Sequence, residues 1–215
     1  MAETLRWPVV LFDLDGTLAN TIDLILASYD QAFRSVTGRV VDDDEARHWI
    51  GQTLGQTFRR ECPSRAGELE AAYRAYNEAH IDDASGYPGL PEVLAGLRAA
   101  GARPGVVTAK GRGAAEKTLQ HIGLADLADL LVTREDTTAH KPDPAPLLAG
   151  LSKLGATPAD AVYVGDAVYD IQAARAAGTA VIAVTWGAGV TAELAALQPD
   201  ALCPDAAQLR AVLLR

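Results

Sequence analysis

Cysteine is nearly missing from this chain: Cys62 and Cys203 are the only two among 215 residues. Two thiols so far apart match no metal-ligand spacing and read as free and reduced, which suits a cytoplasmic protein. Basic charge is short as well. With 19 Lys and Arg against 28 Asp and Glu, the formal net charge is -9. Such a chain lacks the broad basic face that a nucleic acid or an anionic membrane requires, so neither partner is expected. Apolar runs are too short to span a bilayer. Met1 to Trp7 carries no apolar stretch of the secretory type, so no leader is expected. There is no His/Cys cluster to suggest zinc. Repeats and low-complexity tails are also absent. What the chain has in quantity is apolar residues, 49% of the total, enough to exclude general disorder. Its length suffices for one buried core with a smaller insert.

The stretch Val9-Val10-Leu11-Phe12 reads as a short buried strand that stops at Asp13-Leu14-Asp15-Gly16. Residues two apart on a strand share a face, so Asp13 and Asp15 can converge if the strand geometry persists. Gly16 permits a sharp turn or close approach of the backbone to a ligand. From Asn20 to His80 the pattern is helical, with no convincing strand. Asn20 and Thr21 are N-cap candidates, and Ile22, Ile25, Leu26, Tyr29 and Phe33 follow at helical spacing up to Gly38. Asp42-Asp43-Asp44-Glu45 reads as an acidic helix start that favours the dipole, not as a metal cluster. Ile81 to Gly89 is a linker by composition. From Leu90 onward helices and short apolar strands alternate to the end of the chain. That alternation predicts an α/β fold, a doubly wound parallel sheet with a small helical unit inserted after the first strand. The expected division is a core of residues 1–18 and 86–215, with a helical cap of residues 19–85.

Ligands of open α/β sheets bind beyond the carboxyl ends of the strands. The successive strand ends here carry Asp13 and Asp15, then Thr108, then the loop with Lys141, then Asp166 with Asp170. Carboxylates in that number repel a phosphate unless a hard divalent cation sits between, and sparse oxygen ligands suit Mg2+. Asp13 and Asp166 can each supply an oxygen, Asp15 its backbone carbonyl, and Asp170 a direct or water-mediated contact. Asp13, deepest at the strand end, suits a nucleophile that forms an aspartyl phosphate. Asp15 suits the group that protonates the leaving oxygen and then takes a proton from water. Lys141 can hold the Asp13 carboxylate and meet phosphate oxygens. The Thr108 hydroxyl and the backbone around Gly16, Thr17 and Ala109 are the candidate phosphate donors. Taken singly, each of these residues is an ordinary turn, cap or loop residue. Their joint placement is what points to phosphoryl chemistry.

On Asp13 to Thr21, Thr108 in Val106 to Lys110, Lys141 in Lys141-Pro142-Asp143-Pro144, and Gly165-Asp166 with Asp170-Ile171, the chain resembles the haloacid dehalogenase superfamily of phosphohydrolases over nearly its whole length. The resemblance implies a Rossmann-like core and makes the helical insert its cap. Asp15 disfavours the superfamily's dehalogenases and phosphonate hydrolases, which lack that second aspartate. Asp13 to Ile25, Trp49 to Leu54 and Gly165 to Gly178 look like the phosphoglycolate phosphatase branch. Tyr73 to His80 and Val107 to Arg112 look like the pyrophosphatases of that branch. The resemblance therefore implies a Mg2+-dependent phosphatase of small phosphorylated metabolites, with phosphoglycolate-type monoesters ahead of pyrophosphate and a sugar-phosphate phosphatase or mutase behind. The cap should choose the substrate. Gln52, Arg59 and Lys110 are the specificity candidates, while Arg47, His48 and Arg60 read more simply as surface. Monomer and homodimer are both compatible with this sequence.

Overall fold

A computed structural model of the chain describes residues 5–214. Its centre is a six-stranded sheet in which every neighbouring pair is parallel. In chain order the strands are β1 (Val9–Phe12), β4 (Arg103–Val107), β5 (Leu130–Val132), β6 (Ala161–Gly165), β7 (Ala180–Val184) and β8 (Ala201–Cys203). The spatial order is β5-β4-β1-β6-β7-β8. The chain thus winds outward from β1 through β4 to β5, then returns to the other side of β1 for β6. That reversal makes the carboxyl ends of β1, β4 and β6 the switch point where open α/β sheets leave a crevice.

Side chains alternate across the sheet. Val10, Phe12, Val106, Val164 and Ile182 face a layer made by α5 (Leu90–Ala99), α6 (Arg112–His121) and α10 (Ala206–Leu213). Val9, Leu11, Val107, Tyr163 and Val181 face the opposite layer, made by α7 (Ala145–Leu154), α8 (Val168–Ala177) and α9 (Thr191–Ala196). Both faces are covered, which is why β1 and β6 are apolar along their whole length rather than alternating.

Between β1 and α5 lie four helices: α1 (Ile22–Thr37), α2 (Asp43–Arg47), α3 (Leu54–Glu61) and α4 (Ala66–Ala79). They bury a separate cluster of Tyr29, Phe33, Trp49, Phe58, Leu69 and Tyr73. Asp42 caps α2 by accepting from the backbone N–H groups of Asp44 and Glu45, so the acidic run is a helix start. The chain enters and leaves this block through a feature absent from the sequence reading, an antiparallel ribbon of β2 (Ala19–Asn20) and β3 (Ser85–Gly86). Asn20 therefore belongs to a strand and Thr21 takes the N-cap position, without a side-chain capping bond. Two-residue strands are too short for periodicity to show, and so is the three-residue edge strand β8. Among the described residues, no helix is long and apolar enough to cross a membrane.

Candidate active site

The site starts where β1 stops. The Asp13 N–H still bonds the Val164 carbonyl of β6 at 2.9 Å, so Asp13 is fixed by the sheet although it lies past the strand. The chain then hooks back, with the Leu14 carbonyl accepting from Leu18 and Ala19 at 2.9 and 2.8 Å. Gly16 takes φ +79° in that hook, and a Cβ there would lie 2.3 Å from Asp166 Oδ2. Conformation and space both demand glycine. The hook also breaks the strand alternation, so the two aspartates line one cavity with different partners. Asp13 is buried beside Lys141, whereas the Asp15 carboxylate accepts from Thr21 Oγ1 and from Lys110 Nζ, each at 2.8 Å.

Lys141, only 1% exposed, gathers the buried side. Its Nζ lies 2.9 Å from Asp13 Oδ2, 2.6 Å from Asp170 Oδ1 and 3.0 Å from the Tyr163 hydroxyl. The three ammonium hydrogens are thereby matched to three acceptors. Tyr163 passes its own hydrogen to the Val107 carbonyl at 2.8 Å. Burial works against the charged lysine, but Asp13 and Asp170 outweigh it and hold the ammonium well above its ordinary pKa. The other Asp170 oxygen accepts from the Ala167 N–H at the start of α8. Asp166 accepts from Thr17 Oγ1 and from the Ala188 N–H, both at 2.8 Å.

One oxygen stands out. Asp13 Oδ1 is buried and has no hydrogen-bond partner among the described residues. Asp13, Asp166 and Asp170 each present an oxygen within 4.8 Å of the others. Burial, with Lys141 opposing it and Asp170 adding to it, pushes Asp13 up to about 7. Burial together with Asp170 and Asp13 pushes Asp166 up to about 8. A buried all-oxygen set with an orphaned oxygen, too crowded to ionise without a counter-charge, fits a hard divalent cation. The Asp15 carboxylate is not part of this set, which leaves its backbone carbonyl as the atom proposed for the cation.

Between sheet and helices lies a cavity of about 290 Å3. Its sheet-side wall includes Asp13, Asp15, Thr108, Ala109 and Lys110. Gln52 lines the opposite wall, and its Nε2 donates to the Tyr169 hydroxyl of α8 at 2.7 Å. Gly16, Thr17, Lys141, Asp166 and Asp170 stand behind the surface and hold it in place. Arg59 does not reach the cavity: α3 turns Thr57 and Phe58 inward, which leaves Arg59 exposed against Gly55. Arg47, Arg60 and His48 are outside the lining too, and the His48 ring bonds the Asp44 carbonyl at 2.6 Å. In their place α4 contributes Tyr73, Arg74, Asn77 and Glu78, while Lys117 and Arg134 come from the sheet side. The available signal was Asn77, a polar residue on the buried stripe with Leu69 and Tyr73, which marks that face of α4 as more than core.

The haloacid dehalogenase-like hydrolase family matches residues 10–184. The pyrophosphatase PpaX of Bacillus velezensis is 35% identical over 196 residues, covering 91% of each chain. Among solved structures, a predicted phosphoglycolate phosphatase of Haemophilus somnus superposes with a TM-score of 0.86 at 26% identity, covering 96% of this chain and 97% of that one. A hydrolase of Pseudomonas syringae gives 0.87 at 25% identity, covering 95% and 97%.

Proposed function

The chain belongs to the haloacid dehalogenase-like hydrolases, and on that footing we propose that it is a Mg2+-dependent phosphohydrolase of small phosphorylated metabolites, working through an aspartyl phosphate. The carrying observation is the unpartnered, buried Asp13 Oδ1 at the mouth of a closed cluster of carboxylates and one lysine. Residues 19–85 act as the cap, and residues 1–18 with 86–215 as the core.

Lys141 holds Asp13 through Oδ2 and so aims the carboxylate at the cavity. Asp13 attacks phosphorus, the P–O bond to the leaving group breaks, and the departing oxygen takes a proton from Asp15. Asp15 then removes a proton from water, which attacks the acyl phosphate and frees Asp13. Lys110 and Thr21 keep Asp15 turned into the cavity between these events. Thr108, buried at the end of β4, donates to the transferring phosphoryl group with the backbone of Ala109. Asp13, Asp166 and Asp170 are the residues that would hold Mg2+, with the Asp15 carbonyl. Bound there, Mg2+ supplies positive charge that lets a phosphate dianion approach the carboxylates.

For the substrate we put pyrophosphate ahead of phosphoglycolate. The relative named as a pyrophosphatase is 35% identical over nine-tenths of both chains, whereas the likeness to a phosphoglycolate phosphatase stands at 26%. This reverses the order drawn from the sequence motifs. Phosphate release from p-nitrophenyl phosphate should vanish in EDTA and return with Mg2+; full activity in the chelator overturns the site assignment. A panel of pyrophosphate, phosphoglycolate, sugar phosphates and nucleotides, ranked by kcat/KM, then decides the substrate, and a best rate on a sugar phosphate removes both candidates.

A further inference from the structure

We propose that Arg74 of α4 and Arg134, two residues beyond β5, form a second anion subsite that grips the group not transferred, so that preferred substrates are compact metabolites carrying two anionic groups. The inference rests on the reading of the Asp13 end as a phosphohydrolase site. Both guanidinium groups line the same cavity as Asp13 and Thr108. They come from opposite walls and meet on one carboxylate oxygen. Glu70 Oε1 accepts from Arg74 Nη2 at 2.5 Å, from Arg74 Nε at 3.1 Å and from Arg134 Nη1 at 2.9 Å. Glu70 is not part of the lining, and neither is Glu135, whose Oε1 lies 3.2 Å from Arg134 Nη2. The two arginines are therefore the members of this cluster that line the cavity.

Two of the three Arg74 nitrogens are spent on Glu70. The third, Nη1, makes no hydrogen bond among the described residues and lies 3.5 Å from where a Cβ on Gly111 would stand. Arg134 Nη2 is 3.7 Å from the same point. Gly111 is three residues past Thr108 and itself lines the cavity. Glu135 Oε1 lies 3.1 Å from the same point and is paired with Arg134 Nη2, which leaves Arg74 Nη1 as the donor without a carboxylate partner there. A guanidinium presents a planar fork of donors that matches a carboxylate or a phosphate. The remaining lining cations are committed differently: Lys110 pairs with Asp15 and Lys117 with Glu78, and both of those acids face the cavity. Because Arg74 and Arg134 belong to different walls, an anion held by both also draws the walls together. A substrate with a single phosphate and a neutral leaving group offers nothing for them to hold.

The test compares Arg74→Gln, Arg134→Gln and the double variant with the wild type on pyrophosphate, phosphoglycolate and p-nitrophenyl phosphate. Each single variant should lower kcat/KM for the first two by about 10–100-fold, the worth of one charge-assisted contact. The change on p-nitrophenyl phosphate should stay within about threefold. Arg74→Lys, which keeps the charge without the fork and tolerates the same fold, should fall between. Calorimetry with imidodiphosphate, which is not hydrolysed, should show the same loss of affinity, while inorganic phosphate binds each protein equally. Equal losses on one-anion and two-anion substrates, or no loss on either, overturn the subsite. If the wild type releases no phosphate from any of the three, the phosphohydrolase reading fails. Imidodiphosphate binding then decides the subsite by itself: affinity lost in the variants supports it, and unchanged affinity overturns it.

Discussion

The two walls of the cavity are built on opposite plans. On the sheet side Asp13, Lys141, Asp166 and Asp170 are at most 3% exposed, and they are fixed by backbone and side-chain bonds among the segments that follow the strands. On the helical side the charged groups sit at the rim. The Arg74 side chain is 38% exposed and Glu78 65%, and each pairs directly with a neighbour at the solvent boundary. The interior of that wall is aromatic, with Tyr29, Phe33, Trp49, Phe58 and Tyr73 packed edge to face or tilted. Charges in a dry site interact strongly and tolerate no displacement, whereas exposed pairs are screened and exchangeable. The contrast suits the proposed division, with the chemistry on the sheet wall and the choice of substrate centred on the helical one.

The largest expected effect breaks the chemical wall without weakening it. Asp13→Asn should remove turnover on every substrate, because an amide cannot form the phosphoenzyme. The metal-free fold should hold its Tm or gain, since one of three crowded carboxylates is neutralised while Lys141 keeps Asp170. Phosphate release and a thermal melt in EDTA check both halves. Wild-type turnover would dethrone Asp13 as nucleophile. A collapse in Tm would mean that its charge is structural.

A second substitution strikes the aromatic wall. Phe58 is fully buried, with ring centroids 5.6 Å from Tyr29, 5.9 Å from Phe33 and 6.1 Å from Tyr73. Phe58→Ala should cost about 3–5 kcal/mol. Trp49 lies in this cluster and Trp7 and Trp186 lie in or against the sheet core, so fluorescence separates the walls. With Trp7 and Trp186 replaced by Phe, the Trp49 midpoint in urea should drop. With Trp49 replaced instead, the remaining signal should drop less. Equal shifts would make the two walls one cooperative unit.

The same contrast governs how much could be read before folding. The sheet order follows from alternating helices and apolar runs, and Asp13, Thr108, Lys141, Asp166 and Asp170 follow from standing at strand ends, where position alone brings them together. Asp15 shows the limit: spacing placed it with Asp13, but the hook after Leu14 sent its carboxylate to Lys110 and Thr21. On the helical wall, spacing fixes which face is buried but not how a long side chain lies along a rim. Arg59 and Arg74 are indistinguishable as residues, yet one folds back over Gly55 and the other crosses to Gly111. The ribbon of β2 and β3 was invisible because it holds four residues in two strands separated by the whole helical block.

The smallest expected effect lies where the two walls touch. Burial alone would raise the Glu70 pKa, but the hydrogen bonds from Arg74 and Arg134 outweigh it and hold the carboxyl below its ordinary 4.5. A carboxylate with a depressed value in the folded state stabilises the fold at pH above its unfolded value. That contribution is lost as the pH falls through the folded value. Glu70→Gln should therefore lower unfolding stability at neutral pH by at most about 1 kcal/mol, since the pair is partly exposed and screened. The difference from the wild type should shrink as the pH drops below 4.5, and added salt should shrink it at neutral pH as well. Urea unfolding of both proteins across that range measures it. A loss of several kcal/mol, or one that ignores pH and salt, would show the helical rim to be as dry and as tightly fixed as the sheet wall, and the division of labour between them would lose its physical basis.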